Sequence, residues 1–340
     1  MTIKDVALEA KVSTATVSRV LNNRKVKQES KIRVEKAIEK LGYVPNALAQ
    51  GLMQKKSKTI GTLITSMTNA YYMEITDVIE KRFGEMDSML FLSSTDGKPE
   101  KEKRYLESLI SRQVEGIIMI DPTIENFNNG LYHDISRRTP LILIHSFPAL
   151  KEFWSVYVDQ YKGMERVMNY LWDMGHRKIA FVRGFQGHSF DVKEKCWRDF
   201  YTAHQLEPDS RYLVSIPQAN TDNAISMSSH ACQEMLKLPP SDRPTAIFTC
   251  NDLMALGAIN AASVLGMNIP DELSIIGHDN TNLSKSSNPQ LTTVDMKLST
   301  LGNQASNLLI QGLNHTENKQ EVILIEPELI VRQSSGAVPL

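Results

Sequence analysis

Residues 2–22 read TIKDVALEAKVSTATVSRVLN, and this stretch decides the architecture of the N-terminus. Thr2 followed by Asp5 makes a capping-box-like start, with a carboxylate in the first turn. Val6, Ala7, Ala10 and Val12 recur at helical spacing. Ser13 is placed to cap a second helix with Val17, Val20 and Leu21 on its inner face, and Asn22-Asn23 stop it. Two short helices joined by a turn of about three residues are the helix-turn-helix layout. A third amphipathic helix is expected from Glu29 to Leu41, with Ile32, Ala37, Ile38 and Leu41 inward. Gly42 and Pro45 end it.

Charge agrees with this layout. Residues 1–58 hold 13 Lys and Arg against 5 Asp and Glu, whereas the 340-residue chain sums to -1. A basic small segment on an acidic large one is the footprint of a polyanion-binding head. The outward positions of the second helix are Thr14, Ala15, Ser18 and Arg19. Arg19 suits guanine, because its planar fork matches O6 and N7 together, and such a pair contributes about 1–3 kcal/mol of discrimination. Thr14 and Ala15 suit a thymine methyl or a weak hydrogen bond. Ser13, Thr16 and Asn22, flanked by Thr2 and Tyr43, are expected on phosphates, which position the head without reading sequence.

The run IKDVALEAKVSTATVSRVLN resembles the N-terminus of the lactose/galactose repressor family of bacterial transcription regulators, and LGYVPNALAQGLMQKKSKTIG resembles its hinge. The resemblance continues through YLWDMGHRKIAFVRG, RPTAIFTCNDLMALGAINAASVLGMNIPDELSIIGHDN and NPQLTTVDM, in order. It covers nearly the whole chain. It implies a helix-turn-helix head (1–45), a hinge helix and linker (46–58) and a two-lobed domain (59–340) like periplasmic sugar-binding proteins. The lobes implied are about 59–160 with 292–320, and 161–291 with 321–335, with the effector in the cleft between them.

Residues 46–53 read NALAQGLM, with Asn46 as a cap. About eight residues are too few for a stable helix in water. The family implies that two copies fold together in the minor groove, with Leu52, beside Met53, as the wedge that unstacks the central step. Gln50 and Met53 stand where the family commonly has basic residues, so Lys55, Lys56 and Lys58 are expected to compensate.

From Thr59 onward, apolar runs (TIGTLIT, MLFLSS, GIIMI, PLILIH, KIAFV, TAIFTC, LSIIGH) alternate with helix-like segments at 71–87, 98–113, 160–174, 221–237, 251–265 and 298–313. This alternation predicts α/β architecture with doubly wound parallel sheets in two subdomains. Ligands of such sheets sit outside the carboxyl ends of strands. The candidate loops follow Thr65, Ile120, Ile144, Val182, Cys250 and His278. Tyr71 and Tyr72 offer aromatic faces for a sugar ring or a base. Asp279 and Asn251 match family effector positions, while Asp252 is read as a helix cap. After KIAFVRG a longer loop is expected. The family's arginine, four residues before an aromatic, falls on Cys196 when counted from Phe200. Lys193 and His188 are then the candidates for a carboxylate-bearing or phosphorylated effector. Cys196 reads as a packed side chain.

The chain has no G-x-G-x-x-G, P-loop, HExxH or GxSxG, and its eight histidines lack metal-ligand spacing. No enzyme activity, cofactor or metal is expected. No apolar run approaches the roughly twenty residues of a membrane span. With no signal-like start, and three scattered cysteines, a cytoplasmic protein is expected. The ending RQSSGAVPL carries no leucine heptads, which favours a homodimer. The reading is a sequence-specific repressor of carbohydrate or related catabolic genes on a pseudo-palindromic operator, controlled by a small molecule. A phosphorylated protein partner is the alternative. It is opposed by the absence of Lys and Arg from LGNQASNLLIQGL, where Asn307 and Gln311 hold the matching positions. A ligand-binding module without a DNA role is opposed by the basic head.

Overall fold

The computed structural model describes residues 1–22, 24–44, 57–147, 152–314 and 321–338. It forms two compact units, Met1–Lys58 and Thr59–Leu340. Asn46, Gln50, Leu52, Met53, Lys55 and Lys56, and with them the hinge reading, lie outside the described residues.

The first unit contains α1 (Ile3–Glu9), α2 (Thr14–Leu21) and α3 (Gln28–Leu41). The Thr2 N–H donates to the Asp5 carboxylate at 2.7 Å, the return arm of the predicted box. Ser13 caps α2 by accepting from the Thr16 N–H at 3.1 Å. Gly42, at φ 57, ends α3 in the left-handed region, where it alone avoids a Cβ clash. Val6, Ala7, Ala10, Val17, Val20, Val34 and Ala37 form the core. One inward assignment on α3 is wrong. Ile32 is 44% exposed and Val34 is buried. Two residues turn a helix by about 200°, so both cannot face inward.

The second unit holds two six-stranded sheets. The first contains β1 (Thr59–Ile64), β2 (Met89–Ser94), β3 (Gly116–Ile120), β4 (Leu141–His145), β5 (Trp154–Val158) and β11 (Val322–Ile325), in the order β11-β5-β4-β3-β1-β2. The second contains β6 (Ile179–Gly184), β7 (Leu213–Ile216), β8 (Ala246–Thr249), β9 (Ser274–Asp279), β10 (Thr292–Asp295) and β12 (Glu328–Ile330), in the order β12-β10-β9-β8-β6-β7. All pairings are parallel except β10 with β12. The central strands bury every residue, as sheets covered on both faces do.

The helices of this unit are α4 (Ala70–Gly84), α5 (Pro99–Ser111), α6 (Ile124–Asn128), α7 (Leu131–Ser136), α8 (Gln160–Asp173), α9 (His188–Ala203), α10 (Asn223–Leu236), α11 (Asp252–Val264), α12 (Asn282–Ser286) and α13 (Leu298–Leu313). Where the long loop after β6 was expected, three residues lead straight into α9. The chain first crosses between lobes after Val158. The later crossings lie at 296–297 and 326–327. Thr292–Asp295 therefore belongs with the second lobe and Val322–Ile325 with the first, the reverse of the expected division. Strand pairing decides this. Thr292 sits opposite Ile276, and Val322 opposite Ser155. Gly302 on α13 admits the close approach of α4, since a Cβ there would lie 3.0 Å from the Ile75 carbonyl oxygen.

Candidate functional site

In the head, α2 presents Thr14, Ala15 and Arg19 to solvent, and Val17 and Val20 to the core. Helical spacing alone produces this split. Ser13 and Thr16 remain near the surface, with hydroxyls 3.0 Å apart. Thr2 donates its hydroxyl to Asp5 at 3.1 Å. The Asn22 amide donates to the Ser18 carbonyl at 2.7 Å, and Tyr43 packs on the head's core. These last two are therefore anchored by the fold, and only their remaining polar atoms can meet a phosphate.

In the large unit, four segments bring polar groups to the carboxyl ends of strands. After β1, Asn69 caps α4 by accepting from the Tyr71 N–H at 3.0 Å. Tyr71 and Tyr72 follow, packed edge to face with centroids 5.0 Å apart. Both are buried, and burial followed by the Asp121 charge pushes both phenols well up. They stay protonated and act as donors: Tyr72 Oη donates to Asp121 Oδ2 at 2.9 Å. Asp121 follows β3, and burial raises its carboxyl.

From the other lobe, α9 contributes Lys193, which is 2% exposed and donates to the Cys250 carbonyl at 3.3 Å. Its charge acts on Asp121 and on Asp279. Asp279 ends β9 at φ 109, an uncommon backbone state for a residue with a side chain. Burial and then the neighbouring Asp252 push its carboxyl well up. His278 Nδ1 lies 3.0 Å from Asp279 Oδ1, and burial drives this imidazole neutral. Tyr71 also feels Asp279, so the two tyrosines, two aspartates and the lysine form one cluster spanning both lobes.

Two assignments change. Asn251 is the cap of α11, accepting from the Met254 N–H at 2.9 Å, and it donates to the Ala219 carbonyl at 2.9 Å. Asp252 is not the cap. Its buried carboxylate accepts from the Thr281 N–H and hydroxyl, each at 2.8 Å, and from the Thr293 hydroxyl at 2.7 Å. Burial pushes its pKa up to about 6. Asp252 thus ties β9 and β10 to α11, and Asn251 shapes the cleft wall. Cys196 points into the core against α8, its thiol pushed up to about 12 by burial. Trp197 is fully buried and its indole N–H donates to the Ile179 carbonyl at 3.0 Å, which fixes the register of α9.

Sequence reasoning pointed to the loop after Ile120 without naming Asp121. It missed Glu74 and Asn220. Glu74 accepts from the Asn282 N–H at 2.8 Å, and the Asn69 amide donates to Asn220 Oδ1 at 3.4 Å, both across the cleft. No motif marks these residues. Only their place in the segments that follow β1 and β7 could have. Among the described residues no group of His, Cys, Asp and Glu is arranged to hold a metal ion, and no helix is long and apolar enough to cross a membrane.

Residues 2–46 match the family of bacterial regulatory proteins, lacI family, and residues 168–335 match the periplasmic binding protein-like domain. The HTH-type transcriptional repressor PurR of Mannheimia succiniciproducens is 34% identical over 98% of both chains. Catabolite control protein A of Priestia megaterium is 34% identical over 98% of this chain and 99% of its own. The Lac repressor dimer bound to operator and the anti-inducer ONPF superposes with a TM-score of 0.84, at 25% identity over 99% of each chain. With a matching head, a matching two-lobed domain and relatives aligned end to end, the chain belongs to the lacI family of bacterial regulatory proteins and is a DNA-binding transcription regulator.

Proposed function

We propose that the protein represses transcription as a homodimer on a pseudo-palindromic operator, and that a neutral, hydroxyl-rich effector in the inter-lobe cleft controls it. Two heads bind the half-sites, with Arg19 on a guanine and Thr14 and Ala15 beside it. Ser13, Thr16, Asn22, Thr2 and Tyr43 hold the backbone, and Leu52 with Met53 wedges the centre. Apolar Met73, Met89 and Phe91, exposed on the adjoining α4 and β2, support pairing of two copies.

The observation that carries the effector class is the convergence of Asp121, Asp279 and Lys193 beside Tyr71 and Tyr72. With the Asp279 carboxyl pushed well up, the Asp121 carboxylate and the Lys193 ammonium balance in charge, which disfavours a phosphate or a carboxylate ligand. Carboxylates accept from hydroxyls, the ammonium donates to them, and tyrosine faces cover a ring. Lys193, Asp279 and Tyr71 are the expected contacts, with Tyr72 acting through Asp121, Asn251 shaping the wall and His188 at the rim. A phosphorylated protein partner remains opposed by α13, which carries no Lys or Arg between residues 298 and 313.

The test is calorimetric titration of the full chain with neutral sugars, nucleosides, sugar phosphates and sugar acids. Neutral polyols are expected to bind, and Lys193→Met or Asp279→Asn to weaken them at least about tenfold, the loss of one charged hydrogen bond. Binding confined to anions, or unaffected by both substitutions, contradicts the proposal. Operator binding with and without the ligand then fixes the sign of regulation.

A further inference from the structure

Sulfur is distributed unevenly over the molecule. Cys196, Cys232 and Cys250 are buried, and burial pushes each thiol up to about 12. The thiolate is the form an oxidant attacks, so these three are inert. A thioether has no proton to lose and reacts wherever an oxidant reaches it. Of the 15 methionines, five are exposed among the described residues: Met1, Met67, Met73, Met86 and Met89. Three of these five lie on α4, on the turn after it and on β2, elements that pack together.

Met73 lies on the first turn of α4. Met86 sits in the turn that ends this helix, where its N–H and that of Ser88 both donate to the Phe83 carbonyl at 3.0 Å. Met89 opens β2 and is 69% exposed. β2 is an edge strand, paired to β1 alone. Its side chains alternate, so Leu90 and Leu92 pack on the core while Met89 and Phe91 face out. Free edges are ordinarily guarded by charge or proline. β2 reads MLFLSS and carries neither, which suits an edge that a second copy covers.

We infer that Met73, Met86 and Met89 form an oxidant-sensitive control of dimerisation. The inference rests on this edge being the pairing surface of two copies. A lone pair on the methionine sulfur attacks one oxygen of hydrogen peroxide, and the O–O bond breaks. The departing hydroxide takes up the hydroxyl proton, so the thioether is oxidised to a sulfoxide and the peroxide is reduced to water. In a symmetric pair each residue occurs twice, so each oxidised position brings two sulfoxides to the interface. On a free subunit these oxygens stay hydrated, and the fold is unaffected. Only pairing strips their water, which is unfavourable for an unbonded polar group. Oxidation therefore separates the copies without unfolding them, and binding through two heads is lost.

The experiment exposes the full-length protein to hydrogen peroxide at neutral pH. Peptide mass spectrometry is expected to find oxygen on Met73, Met86 and Met89 before any buried methionine, and more slowly at high protein concentration, where pairing covers them. Sedimentation equilibrium is expected to show the dimer dissociation constant rising about hundredfold or more, two buried sulfoxides each weakening pairing about tenfold. Far-UV circular dichroism should stay the same, which separates this effect from general oxidative unfolding. Methionine sulfoxide reductases with dithiothreitol should restore pairing. The combined variant Met73→Leu, Met86→Leu, Met89→Leu has no sulfur on this edge, and peroxide should leave its dissociation constant where it started. A natural chain that stays dimeric with the three sulfurs oxidised overturns the inference, as does an equal response from the combined variant. Met89→Glu tests the pairing surface by itself. If it separates the copies while the oxidised chain stays paired, only the redox inference falls. If it leaves the dimer intact, the edge does not pair and both readings fall.

Discussion

The exposed face of α2 proposed to read DNA and the lining of the cleft are both polar surfaces, but they are built in opposite ways. Thr14, Ala15 and Arg19 come from six consecutive residues, stand in solvent, and owe their arrangement to helical geometry alone. Asp121, His145 and Asp279 come from the carboxyl ends of β3, β4 and β9 and Lys193 from within α9, spread over 159 positions of sequence numbering, and they are buried or nearly so. The head keeps its polar groups hydrated until DNA arrives, so each side chain acts independently. In the cleft, Asp121, His145 and Asp279 are each shifted by burial and by their neighbours. Substitutions should therefore act locally in the head and collectively in the large unit.

The sharpest contrast is expected at Asp252. Replacing it with alanine leaves the Thr281 and Thr293 donors without their acceptor, and should destabilise the large unit by about 3–5 kcal/mol. Calorimetric unfolding should show a lowered transition for that unit, while the head keeps its own. Equal loss in both units would break the comparison. Next in size, Arg19→Ala should weaken operator binding by about 1–3 kcal/mol and relax specificity at one base pair, without changing ligand affinity. Gel-shift titration against single-base operator variants checks this.

A smaller effect separates the two regions by pH. The folded pKa of His145 is pushed down to about 4, below the ordinary value of 6.5. The unfolded chain takes up that proton first, so the stability at stake is intact above about pH 6.5 and is lost as pH falls toward 4. Between pH 7 and 5.5 the loss is about 1 kcal/mol. Urea titrations of the natural chain should show this slope, and His145→Leu should reduce it, leaving the part due to His176, His188 and His278. Last, Ser13→Ala removes a cap and should cost the head about 1 kcal/mol, with no change in the large unit. Circular dichroism melts resolve the two.

The head was largely legible because its signals are local. The Thr2–Asp5 box, the Ser13 cap and the Gly42 stop all act within four residues, and each forms as read. Ile32 misled because apolar character was counted without phase, and Val34 holds the inward position two residues away. In the large unit the long buried strands were legible as Ile- and Val-rich runs. Trp154–Val158, Thr292–Asp295 and Glu328–Ile330 were not, since polar residues interrupt each of these short runs. The cleft was legible only as a set of strand ends. Tyr72 meeting Asp121, and Lys193 rather than Cys196 facing the cleft, depend on the register of α9 set by Trp197, which no local signal states.

The sequence by itself determined the two-part design, the family, the parallel-sheet architecture and which face of α2 stands in solvent. Periodicity, charge and capping are properties of neighbouring residues, and they survive without tertiary context. Tertiary structure alone decided which lobe owns Thr292–Asp295 and Val322–Ile325, which of Asn251 and Asp252 caps α11, and which side chains share the cleft. Those outcomes depend on pairing between distant segments and on burial, which changes what a carboxylate or an imidazole can do once water is excluded.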